Sequence, residues 1–156
     1  MPKISRKKSR KFLFQKLFWE SFNKNSSETF SESFLIDSFK DNLDEEYLSE
    51  MFDIIREKEY FSLYILEKYS PKFDYKNMDL TYVLPIFIWI WEMFFFSKEI
   101  PIKVSINEAI EISKTFWDDS AKRIVNWVLN KVMKNYDELK KDLDEKTFSY
   151  DFSFFA

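Results

Sequence analysis

Seven cations open the chain before its first acid: Lys3, Arg6, Lys7, Lys8, Arg10, Lys11 and Lys16 all precede Glu20, although the whole molecule carries a formal charge of −3. Arg6, Lys7, Arg10 and either Lys3 or Lys11 fall on neighbouring sides of a single helix, with Leu13, Leu17 and Phe18 anchoring its far end. Cations held on a packed helix are preorganised to grip phosphates, because their positions are set before the ligand arrives. A membrane surface, an acidic protein partner or simple solvation of a helix end are the other uses of such a cluster. A second polar feature, Trp117-Asp118-Asp119-Ser120, breaks two amphipathic stretches, with Asp119 or Ser120 able to cap the helix that follows.

Catalytic chemistry finds little to work with. Histidine and cysteine are both absent, which removes the commonest general base, the commonest metal ligand and all thiolate chemistry. Glycine is absent too, so no glycine-rich loop can cradle a phosphate. The acidic runs Asp118-Asp119 and Asp44-Glu45-Glu46 read better as helix caps and dipole partners than as cation ligands. We therefore expect no enzyme, no metal and no cofactor.

The elements that must position these groups follow from punctuation and period. A first helix is expected from about Ser5 to Phe22 and a short second one over Glu28–Phe39. Asp44 opens a third, whose stripe of Tyr47, Leu48, Met51, Phe52 and Ile55 continues past a kink near Lys58 to Tyr69, where Ser70-Pro71 stops it. Asp79 or Thr81 starts a helix running through Phe96, with Pro85 early in it. Its apolar core, Val83–Phe96, is 14 residues long and contains Glu92. A membrane span needs about 20, so this reads as a buried helix of a soluble protein. The N-terminus lacks the clean apolar core of a secretory signal, since Gln15 and Lys16 follow Phe12-Leu13-Phe14 at once. A cytoplasmic protein is expected.

Ile100–Lys131 carries the densest pattern. Ser105 and Glu108 have capping-box spacing, and Ile106, Ala109, Ile110, Ser113 and Phe116 or Trp117 form one stripe. After the break, Ala121, Ile124, Val125, Val128, Leu129 and Val132 form another, reaching about Tyr136. From Asp137 the chain is charged and then aromatic with no clear period, which reads as a loosely ordered tail over 137–156 beyond a single domain of 1–136. No β pattern is present, so the fold class is all-α.

As a string, I-P-x-K-V-x-I-N-E-A-I-E-x-S-K-x-F followed by K-x-I-V-N-x-V-L-x-K resembles the C-terminal signature of the NusB family. The N-terminus resembles it as well, with a basic run leading to Gln15-Lys16-Leu17-Phe18. The segment 23–77 resembles it only in helical pattern and length. The resemblance implies about six or seven helices in two packed bundles and a non-catalytic, bacterial RNA-binding role. The partners it implies are boxA-like single-stranded RNA of nascent ribosomal transcripts, the ribosomal protein NusE, and the antitermination complex on RNA polymerase. By position, Arg6, Lys7, Lys8 and Arg10 would face the RNA backbone, Phe116, Asp118 and Asp119 would lie in the loop beside it, and Phe18 on the side meeting NusE. Lys122 and Arg123 would add phosphate contacts, and Asn126 would either bond RNA or serve as a packing amide. Two other readings compete: an RNA-positioning module like the NusB-like domain of some ribosomal RNA methyltransferases, and a helical protein-interaction module.

Average usage would put about 11 glycines in a chain of this length. Trp117 and Trp127 stand where the resembling pattern carries glycine. We read this as a conceptual translation in which UGA was taken as tryptophan in place of glycine, with Trp19 and Trp89 as further candidates and Trp91 ambiguous. An AT-rich lineage that lost its glycines is the alternative. Intact mass and peptide sequencing of the native protein should return glycine at 117 and 127. Indole at both positions ends that reading.

Overall fold

The computed structural model describes residues 6–22, 43–72, 74–77, 80–96, 103–104, 107–108 and 119–155. Among them lie six helices: α1 (Arg6–Phe22), α2 (Glu45–Glu57), α3 (Glu59–Tyr69), α4 (Leu80–Phe95), α5 (Asp119–Lys134) and α6 (Tyr136–Glu145). The all-α expectation holds. The expected helix at 28–39 lies outside the described residues, as does most of the one expected between Ser105 and Trp117.

α4 is the axis. Every side chain from Val83 to Phe94 is buried, as a helix that is apolar all round must be. α1, α2 and α5 pack on it, while α3 packs on α2 and α5, and α6 on α5. One continuous core runs from Leu13 and Leu17 through α4 to Val132, Leu139 and Phe154, so the helices share a single interior.

Local chemistry explains the boundaries. Asp44 caps α2, its carboxylate accepting the Tyr47 amide at 3.1 Å, and Glu45 and Glu46 suit the positive end of the helix. The kink expected near Lys58 is a full break. Lys58 sits at φ −107°, ψ 27°, ending α2 and opening α3 without a side-chain cap. Its amide donates to the Ile54 carbonyl at 2.9 Å. Ser70 and Pro71 end α3 as expected, with the Ser70 amide on the Leu66 carbonyl at 2.8 Å.

The tail departs from its expectation. α6 continues to Glu145, and an extended strap then folds back over α3 and α4. Phe148 packs on Tyr64 and Phe61, with ring centroids at 4.5 and 5.5 Å. Tyr150 meets Tyr60, Phe152 meets Tyr75, and Phe154 meets Phe87 at 6.0 Å. Buried Glu59 fastens the end, accepting the Phe154 amide at 2.7 Å and the Ser153 hydroxyl. The aromatic residues alternate with polar ones, which is how an extended segment turns one side inward. Residues 137–155 therefore belong to the folded unit.

Candidate nucleic-acid interface

α1 brings its basic end to the surface in a fixed register. Ser9 is buried and its hydroxyl accepts the Asp44 amide at 2.9 Å, tying this turn to the start of α2. Phe12, Leu13 and Leu17 seat the helix on the core. That arrangement leaves Lys7, Lys8 and Lys11 exposed. Arg6 opens the helix, and its side chain lies outside the described residues.

Arg10 corrects the expectation. Its guanidinium is 4% exposed and faces inward to Glu92, which is 0% exposed. Nε donates to Glu92 Oε2 at 2.7 Å and Nη2 to Oε1 at 2.8 Å, a two-pronged pair. The Tyr47 hydroxyl donates to the same Oε2 at 2.9 Å. Burial works to lower the Arg10 pKa, but the hydrogen bonds and charge of Glu92 outweigh it and raise the pKa. The guanidinium also lies over the Trp89 ring at 5.8 Å. Buried and committed to Glu92, the Arg10 guanidinium faces the core and not the basic surface that the resemblance implies for it. A lone acid inside an apolar helix needs a buried cation, and Arg10 supplies it.

Arg10 also links two places in the sequence. Its Nη1 lies 3.9 Å from Glu108 Oε2, which brings the basic turn of α1 beside the segment leading toward 116–120. Phe116 and Asp118 lie outside the described residues. Asp119 is the first residue of α5, and its side chain lies outside the description too. One turn on, Lys122 is half-buried and Arg123 exposed. α1 and α5 each pack on α4.

Asn126 is exposed, which sets aside the packing-amide reading. Its backbone and side-chain oxygens both accept from the Asn130 amide, at 2.7 and 2.8 Å. Trp127 is 53% exposed and donates its indole N–H to the Tyr69 carbonyl at 2.7 Å, with Lys131 over its ring at 4.6 Å. Phe18 is half-buried between Phe14 and Phe22, with centroids at 6.2 and 4.9 Å, and Phe22 is 68% exposed.

Reasoning from sequence missed Glu92 as the partner of Arg10. It also missed Glu59 as the anchor of the strap, because no proline or glycine marks the helix break before it. No described helix is long and apolar enough to cross a membrane, and the described residues hold no group of three or more potential metal ligands.

Comparison with known proteins places the chain. The NusB family model matches residues 7–134, ending with α5 and leaving α6 and the strap outside the match. The chain is 30% identical over 135 residues to the transcription antitermination protein NusB of Clostridium acetobutylicum, covering 86% of this chain and 99% of that protein. It is 33% identical over 132 residues to the protein of the same name from Lachnoclostridium phytofermentans, covering 83% and 99%. Clostridium perfringens strain 13 has another, 34% identical over 136 residues and covering 85% and 98%. No solved structure matches. With its basic first helix, its all-α core and a family match from Lys7 to Lys134, the chain belongs to the NusB family.

Proposed function

We propose that this protein is a non-catalytic transcription antitermination factor that binds boxA-type single-stranded RNA of nascent ribosomal transcripts together with NusE, within the antitermination complex on RNA polymerase. Family membership, across nearly the whole length of relatives named for antitermination, carries the reading. The exposed Lys7 and Lys8 on a seated helix support it, as does Arg123 at the start of α5. Arg6 completes the cation set, Phe116 stacks on a base, and Asp118 and Asp119 contribute polar groups beside it. Lys122 and Asn126 flank Arg123 on α5, where a phosphate and a base edge would lie. Phe18, within the Phe14–Phe22 ladder, faces NusE.

A titration with boxA-like RNA, with and without NusE, tests this. If Arg6, Lys7, Lys8 and Arg123 neutralise phosphates, log K should fall with log salt at a slope of about −3, roughly 0.7 per contact. Lys7→Ala or Lys8→Ala should weaken binding to all RNAs alike and reduce the slope by about 0.7. Phe116→Ala should cost on the order of 1–3 kcal/mol through lost stacking. Binding that ignores salt would sink the reading.

A further inference from the structure

We propose that Arg10 and Glu92 are positioning residues for RNA binding: their buried fork sets the α1 turn that carries Lys7 and Lys8, and holds it beside Glu108. This rests on the RNA-binding reading above.

The observation behind it is an interaction that stability alone does not call for. Taking two charges out of water costs several kcal/mol, and apolar residues of similar volume usually serve a core as well. Yet the pair lies at the basic end of α1, where Ser9 and Arg10 are the first buried residues among the described side chains and Phe12 follows them. Apolar packing resists separation but permits sliding and rotation. A guanidinium gripping both carboxylate oxygens, at 2.7 and 2.8 Å, fixes direction as well as distance. Tyr47 holds Glu92 from α2, so one carboxylate joins three helices. The remaining nitrogen, Nη1, lies 3.9 Å from Glu108. The turn bearing the lysines and the segment at Glu108 thus share one side chain as their reference. Long lysine side chains bind phosphates tightly only when their backbone is already in place, because ordering it on binding subtracts from affinity.

The test compares the wild type with the double variant Arg10→Met/Glu92→Leu and with Arg10→Lys. Each is measured for thermal midpoint, for affinity toward boxA-like RNA over a salt series, and for amide hydrogen exchange in α1. The double variant should keep its midpoint, exchange faster over Lys7–Lys11 but not over Leu13–Leu17, and bind RNA about tenfold or more weakly. Its salt slope should match the wild type, because the phosphate-contacting cations remain. Arg10→Lys retains the charge without the fork, so it should also weaken binding without altering the slope. Should the double variant not fold, Arg10→Lys carries the test on the same readouts. Wild-type affinity in Arg10→Lys or in a folded double variant overturns the inference. So does a slope reduced by about 0.7, which would make Arg10 a direct phosphate contact. A wild-type protein that does not bind RNA overturns the underlying reading instead, and that result is visible before any variant is made.

Discussion

Alanine at Glu92 is expected to remove about 3–5 kcal/mol of stability, the usual result of deleting one partner of a buried ion pair. The loss would come from what remains behind. Arg10 is 4% exposed and would keep its charge with no acceptor for the two nitrogens that now reach Glu92. Guanidinium does not shed its proton to escape, unlike a buried lysine. The Tyr47 hydroxyl would lose its acceptor too. Glu108, at 3.9 Å, is too distant and too exposed to replace a carboxylate at 2.7 Å. For a chain of this size the midpoint should fall by roughly 6–20 °C, at about 2–4 °C per kcal/mol. Total stability for a domain is only about 5–15 kcal/mol, so the variant would stand near the edge of folding. Urea unfolding at two salt concentrations checks this. Salt should leave the Glu92 effect intact, because screening weakens exposed pairs such as Lys68–Glu138 and hardly reaches buried ones. A loss below about 1 kcal/mol would mean that water reaches the pair.

The same residues show where a sequence can be read and where it cannot. Helical period located α1 to within a residue and read α2 and α3 correctly up to their break, because amphipathic spacing is local. The apolar run of α4, with Glu92 inside it, marked a buried helix for the same reason. What Glu92 binds is not local: Arg10 lies 82 positions away. The clustered cations look equivalent in sequence, and only the packing of α1 buries Arg10 while leaving Lys7, Lys8 and Lys11 exposed. At Lys58 no proline or glycine announces the break, so it read as a kink. The tail was misread for another reason. Phe148, Tyr150, Phe152 and Phe154 repeat at every second position, and a search for helical spacing finds no order in a period of two. Phe116 and Asp118, which the resemblance puts beside the RNA, are outside the described residues.

Truncation after Glu145 should be the second large perturbation, lowering stability by an amount similar to the loss of a core phenylalanine or more. Phe154 is buried against Phe87 and Tyr75, and Phe154→Ala alone should cost about 3–5 kcal/mol through lost burial and the cavity left behind. Glu59→Ala attacks the same strap from the other side. It leaves the Phe154 amide and the Ser153 hydroxyl without that acceptor, at about 1–3 kcal/mol. The truncated chain loses both terms and also uncovers Tyr60, Phe61, Tyr64 and Tyr75, an aromatic patch of the kind that drives association. Light scattering should therefore detect self-association alongside a lower unfolding midpoint. Alkaline pH offers a milder version of the same experiment. Burial, together with the charge and hydrogen bond of Glu67, pushes Tyr150 up to about 12. A phenol raised above its unfolded value of about 10 stabilises fully below that pH, and its contribution declines as pH climbs toward 12. The strap should loosen in that window in the full-length protein, while truncation should remove the Tyr150 part of the alkaline transition. RNA binding separates the strap from the interface: the family match ends at Lys134, so a truncated chain that stays folded should retain the affinity and salt slope of the parent. A truncated protein as stable and as monomeric as the full chain would reduce the strap to surface decoration.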